Sequence, residues 1–209
     1  MELSKLVQFF LKHQAKVYIL LLLLLLGAAV AAGWYLYKLN YERSAQKVYS
    51  QVETLSLKSN SAQSESAKLI DGFRNVASKY PRSQAALHSY YQLGNLYLNT
   101  NQPDLAISAY DEFIKRASDK NYLKVFAYTG KGCCHEIKKH FKKALLSFES
   151  ALKMPDGDIL QGQIYRDMAR VYEEMNDQKK SLEYYRKALE KTADPTMGSI
   201  IKRKIAAMS

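Results

Sequence analysis

YYQLGNLYLNTNQPDLAISAYDEFI, residues 90–114, contains two amphipathic helical patterns separated by a turn at Asn99 to Pro103. Tyr90, Leu93, Gly94 and Tyr97 recur three and four apart before the turn, as do Ala106, Tyr110, Phe113 and Ile114 after it. That spacing places each set on one face of a helix. The block returns as Tyr128, Gly132, Ala144, Phe148, Ala151 and Leu152, and again as Tyr165, Met168, Ala169, Tyr172, Ser181, Tyr185, Ala188 and Leu189, at offsets of 38 and 37 residues. Gly94 to Ala106, Gly132 to Ala144 and Ala169 to Ser181 are each separated by twelve. A constant period of this size predicts stacked helical hairpins, because one hairpin cannot bury its apolar face alone. The six small residues are expected where the two helices of a hairpin cross, small against small, with a ring from the second helix filling the gap to the next repeat.

This signature resembles the tetratricopeptide repeat family over about Ser83 to Lys191. Phe113, Lys131 and His135 depart from the pattern, standing where the family has a small, an apolar and an aromatic residue, and the period exceeds the usual one. The resemblance implies an all-α helical-hairpin solenoid that binds other proteins. By repeat geometry the concave face is lined by first-helix residues: His88, Tyr91, Asn95 and Leu98, then Phe126, Thr129, Cys133 and Glu136, then Gln163, Arg166, Arg170 and Glu173. Such a groove suits an extended or helical peptide whose acidic groups pair with Arg166 and Arg170. Because these side chains are expected to face away from the hairpin crossings, replacing Tyr91, or Arg166 and Arg170, should spare the fold.

Outward from the repeats, Pro81 ends a helix expected over Glu65 to Lys79 with Leu69, Ile70, Phe73, Val76 and Tyr80 on its apolar side. The Ser-rich stretch Ser59 to Ser64 reads as a break, and Tyr41 to Leu57 as a helix before it. These two helices form a degenerate leading repeat, and Ser199 to Met208 caps the far end. The expected division is 1–16 tail, 17–38 transmembrane helix, 39–82 membrane-proximal helices, 83–195 three repeats and 196–209 capping helix.

Val17 to Tyr37 is free of charge and contains seven consecutive leucines, Leu20 to Leu26. A helix of that length spans ~32 Å, enough for the bilayer hydrocarbon. Tyr18 at one end and Trp34, Tyr35 and Tyr37 at the other suit the two headgroup levels. Ala28/Ala32 and Ala29/Gly33 are small-xxx-small pairs that would let another membrane helix approach. Ala29-Val30-Ala31 also fits a signal-peptidase site, but the apolar run continues through Trp34 and Leu36, as in an uncleaved anchor. Lys5, Lys12 and Lys16 before the span are balanced by Lys38, Arg43 and Lys47 after it. A short tail with no signal of its own stays in the cytoplasm, so the repeat domain is expected on the outer, periplasmic side of the inner membrane.

Residues 1–40 carry four Lys and one Glu, so +8 of the chain's +11 falls on the 169 residues that follow. That excess suits anionic lipid headgroups, acidic partner segments or a solvated face. No nucleic-acid motif or Arg-rich arm accompanies it, so a nucleic-acid partner is not expected. Hydrolase, P-loop and dinucleotide fingerprints are absent as well, which argues against an enzyme or a cofactor. The cluster Cys133-Cys134-His135 with His140 is spaced wrongly for one metal on one helix and reads as packing beside Gly132. The turn Lys138, Lys139, His140, Lys142, Lys143 reads as a solvated loop.

In the order of its parts, the chain resembles the YfgM-like ancillary subunits of the bacterial Sec translocon. A short basic tail, one anchor with Gly33, Trp34 and Tyr37 near its exit, and a helical-repeat domain follow one another. The resemblance implies a chaperone-like or assembly role beside the translocon, with translocon subunits or exported chains as partners. The competing expectation is a scaffold subunit of an envelope-assembly complex that binds no client peptide.

Overall fold

The computed structural model describes residues 2–58 and 63–208. Among them it contains nine α-helices and no strand: α1 (Glu2–Lys58), α2 (Gln63–Lys79), α3 (Gln84–Asn99), α4 (Pro103–Arg116), α5 (Leu123–Ile137), α6 (Phe141–Leu152), α7 (Gln161–Glu174), α8 (Gln178–Lys191) and α9 (Pro195–Met208). A short 3-10 turn, Gly157–Leu160, precedes α7. The break expected at Ser59 to Ser64 falls mostly on residues 59–62, outside the described residues. The chain divides into two compact units, Met1–Ser44 and Ala45–Ser209.

In the first unit the backbone leaves helical geometry once, at His13 (φ −118, ψ 16). Leu20 to Leu26 are 49% to 70% exposed, as an apolar surface meant for lipid would be. Among the described residues this is the one helix long and apolar enough to cross a membrane. Trp34 and Tyr37 lie 6.1 Å apart, and Tyr37 and Tyr41 6.3 Å. Ala28, Ala29, Ala32 and Gly33 are exposed, and a side chain built on Gly33 would meet open space.

The second unit is a solenoid of hairpins: α3 pairs with α4, α5 with α6 and α7 with α8. One turn geometry recurs in each hairpin. The first helix ends at a left-handed residue, Asn101, Lys139 or Asn176 (φ 56, 56 and 58). The next amide then bonds five residues back, Gln102 to Tyr97, His140 to His135 and Asp177 to Tyr172. This repeated cap satisfies carbonyls that the helix end would orphan. At the start of α3, the Ser83 hydroxyl accepts from the Ala86 amide at 3.0 Å, a cap worth about 1 kcal/mol.

Gly94, Ala106, Gly132, Ala144, Ala169 and Ser181 are all buried. The atoms that most closely crowd the two glycines belong to rings of the second helix. A Cβ on Gly94 would lie 2.5 Å from the Tyr110 ring, and one on Gly132 2.4 Å from Phe148. The glycine of the first helix thus seats the ring one turn beyond the small residue of the second. Tyr110 has glycine on both sides, since Gly130 of the following hairpin would also clash with it at 2.5 Å. The Tyr110 phenol donates to Asn95 Oδ1 at 2.8 Å.

Before α3, Ala45, Tyr49 and Val52 at the end of α1 pack with Leu69, Ile70, Phe73 and Val76 of α2. Gly72 allows this, because its Cβ would lie 2.8 Å from both Val52 methyls. Behind α8, α9 buries Ile201 completely against Tyr185 and Ala188.

Only the middle turn puts a lysine in the left-handed conformation, where asparagine is better tolerated. Lys139→Asn is therefore expected to raise stability by about 0.5–1 kcal/mol. A urea midpoint that stays put or falls would contradict this account of the turn.

Candidate functional site

The first helices touch one another in succession, α3 with α5 and α5 with α7, and no two second helices do so to the same extent. First-helix side chains therefore form the inner wall on which a stacked-hairpin protein meets a ligand. Two kinds of surface share that wall.

On the α3 and α5 half the wall side chains are mostly apolar, amide or hydroxyl, and the one carboxylate among them, Glu136, faces Arg170 of α7. Leu98 and Phe126 are half-buried, and Tyr122 meets Phe126 edge-on at 6.5 Å. His88 packs 6.3 Å from Tyr49, and Asn95 is engaged by Tyr110. Two residues sit deeper than expected. Thr129 is buried and donates its hydroxyl to the Val125 carbonyl at 2.9 Å. Tyr91 leans into its own hairpin, 5.4 Å from the fully buried Phe113 and 6.5 Å from Tyr110. Replacing Tyr91 would therefore disturb packing, contrary to the expectation that the fold would be spared.

On the α7 and α9 half the wall is charged and already paired. Arg170 forks onto Glu136 of the preceding hairpin, Nε to Oε1 at 2.5 Å and Nη2 to Oε2 at 2.7 Å. Its third nitrogen donates to Asp167 Oδ1 at 3.0 Å, where Arg166 also donates at 3.1 and 2.8 Å. Bonding to Glu136 holds Arg170 still more firmly in its charged form, against the opposing effect of burial. Glu173 accepts from Tyr185 at 2.6 Å and from Lys204 of α9 at 3.0 Å. Gln163 stands exposed beside Arg166. The expectation that Arg166 and Arg170 await acidic groups of a peptide meets a physical obstacle: Asp167 and Glu136 supply those carboxylates from within the chain.

Asp167 went unseen in the sequence reading. It occupies the column of Gln92 and Gly130 and is 1% exposed. An unpaired carboxylate there would be costly, so the flanking Arg166 and Arg170 were the available signal. Lys204 and Met197 of α9 complete this half. Arg166 reaches the Met197 sulfur at 3.2 Å.

Cys134 is fully buried and Cys133 half-buried. Burial pushes both thiols up to about 12, with Asp167 adding to the effect at Cys133, so neither is a nucleophile at neutral pH. His135 is buried with no partner for Nδ1, its ring 6.2 Å from His140. Burial, with Lys131 and Lys143 nearby, lowers its pKa. Lys131, the other departure from the repeat pattern, is half-buried and reaches Asp111 Oδ1 at 2.6 Å. Among the described residues no three His, Cys, Asp or Glu side chains are grouped to hold a metal.

Residues 87–120 and 161–190 match the tetratricopeptide repeat family. The middle hairpin, with Lys131 and His135 at two signature positions, lies between the matched segments. No curated protein matches the chain in sequence. Among solved structures, one described as a MamA RS-1 ArsTM double mutant is 15% identical over 78% of this chain and 94% of its own, with a TM-score of 0.57. A crystal structure of MamA protein is 14% identical over 80% and 86%, with a TM-score of 0.55. At that identity the likeness is one of fold.

Proposed function

We propose that this chain is a membrane-anchored protein-interaction subunit of the inner membrane. Its repeat domain stands on the outer side, beside the translocon, and holds exported polypeptide segments against its first helices. Tetratricopeptide-type solenoids are protein-binding scaffolds, which supports the interaction role, and the exposed leucine helix supports the anchor. The translocon assignment rests on the order of tail, anchor and repeats. One observation carries the choice of ligand. The half of the inner wall that bears Leu98 and Phe126 offers one carboxylate, Glu136, already taken by Arg170, whereas the Arg166 and Arg170 half is closed by Asp167 and Glu136. The segment it binds is therefore apolar rather than acidic.

The same closure favours a second reading, a scaffold docked by other surfaces, because an ion-paired wall has little left to offer a ligand. Photocrosslinkers in place of Leu98, Arg170 and Lys187 separate the two. Capture of nascent exported chains from position 98, with little from 170 and 187, supports client binding. Capture from 187 alone leaves the scaffold.

A further inference from the structure

The three turns that join first to second helices share one backbone, which makes each a control for the others. After Asn101 the next helix opens with Pro103 and Asp104. After Asn176, Asp177 caps the following helix through the Lys180 amide at 3.1 Å. Proline and acids are what a helix N-terminus favours.

The middle turn has neither a proline nor an acid within its six residues, 138–143. Lys139 occupies the left-handed position. His140 makes no side-chain cap, and the first turn of α6 contains no acid. Lys142 and Lys143 stand where the helix dipole already concentrates positive charge. Lys138 is paired with Asp104, but Lys139, Lys142 and Lys143 have no carboxylate within ion-pair distance among the described residues. The third turn shares part of this pattern, since Lys179 and Lys180 open α8 with no acid in its first turn, but there Asp177 caps the helix and pairs with Lys180; the first turn has Pro103 and Asp104, and the middle turn has no such counterweight.

Aliphatic side chains stand among these cations. Leu146, one helical turn beyond Lys142 and Lys143, is 61% exposed, and Ile137 just before the turn is 49% exposed. An acidic peptide would account for the lysines alone, whereas a bilayer interface takes up both the cations and the aliphatic side chains.

We propose that the α5–α6 turn is a docking site for anionic phospholipid headgroups, with Lys139, Lys142 and Lys143 against the phosphates and Leu146 entering the interface. This rests on the membrane anchoring proposed above, which confines the domain near a bilayer and lets a weak surface contact form. Each lysine near an anionic surface strengthens such a contact about fivefold.

The test uses the full chain in nanodiscs with a benzophenone photocrosslinker in place of Leu146. A second protein carries it in place of Glu183, the equivalent position of the next repeat. Co-elution with nanodiscs of neutral phosphatidylcholine tests the anchor by itself. With about 30 mol% phosphatidylglycerol added, lipid adducts at position 146 should rise about fivefold or more over the neutral discs. The rise should vanish in about 0.5 M salt. K139E/K142E/K143E should abolish it too. That variant places acids at a helix N-terminus, so its melting temperature should not fall. Equal adducts in both discs, or equal adducts at positions 146 and 183, would overturn the proposal. So would protection of position 146 by a polyglutamate peptide with no phosphatidylglycerol effect, which would assign the turn to an acidic protein. Failure to co-elute at all would refute the anchor instead.

Discussion

Replacing Gly132 with leucine is expected to lower the stability of the repeat domain by about 3 kcal/mol. A Cβ alone would sit 2.4 Å, 2.7 Å and 2.8 Å from three atoms of the Phe148 ring, which is completely buried. That ring is enclosed by Val125, Ile164 and Met168 in one core cluster, so it cannot yield without displacing both helices of the hairpin. Lys139→Leu, on the neighbouring turn, exchanges one left-handed side chain for another in solvent and should change stability by less than about 0.5 kcal/mol. Urea unfolding of the detergent-solubilised chain, followed by circular dichroism, distinguishes the two. A Gly132→Leu midpoint no lower than that of Lys139→Leu would mean that the helices do not cross in this register.

Arg170→Glu should cost about 2–3 kcal/mol. Breaking a buried pair costs roughly 3–5 kcal/mol, and the exposure of 42% of the Arg170 side chain reduces that figure by solvent screening. The penalty arises because the new carboxylate would face Glu136 and the buried Asp167, leaving three acids together with Arg166 as the remaining cation bonded to Asp167. Adding Glu136→Arg should restore part of the loss by re-forming the pair in reverse, a coupling that a double-mutant cycle reads directly. If Arg170→Glu melted with the wild type, the network would contribute nothing and Arg170 would again be available to a ligand.

The hairpin period was legible in the sequence because small residues at a fixed separation of twelve have a steric cause that survives any detail of packing. The first turn was legible as a break, since Asn101 is a residue type that tolerates positive φ. The geometry that the three turns share was not, because Lys139 conceals the middle copy. Spacing shows that two helices approach, but side-chain direction decides which ring crowds the glycine, Tyr110 at Gly94 and Phe148 at Gly132. The wall residues suffered most. Glu136 and Arg170 are 34 residues apart, on different hairpins, and no pattern within one repeat reveals a bond between repeats. Tyr91 and Thr129 were assigned from register alone, and a rotation of a few tens of degrees about the helix axis is enough to turn an outward position inward.

The tyrosine held between two glycines also bears on how the domain comes apart. Tyr110 belongs to the second helix of one hairpin yet fits against Gly94 behind it and Gly130 ahead of it. Opening either contact strips one face of the same buried ring, so the first two hairpins should melt as a single cooperative unit. At the next junction the column of Gly130 is filled by Asp167, and Arg170 forked onto Glu136 adds an ionic link to the apolar cluster of Phe148, Ile164 and Met168. Salt weakens a link of that kind and leaves the ring between glycines untouched. The third hairpin with α9 is thus the segment whose amide protection should fall as ionic strength rises, while that of the first two hairpins holds.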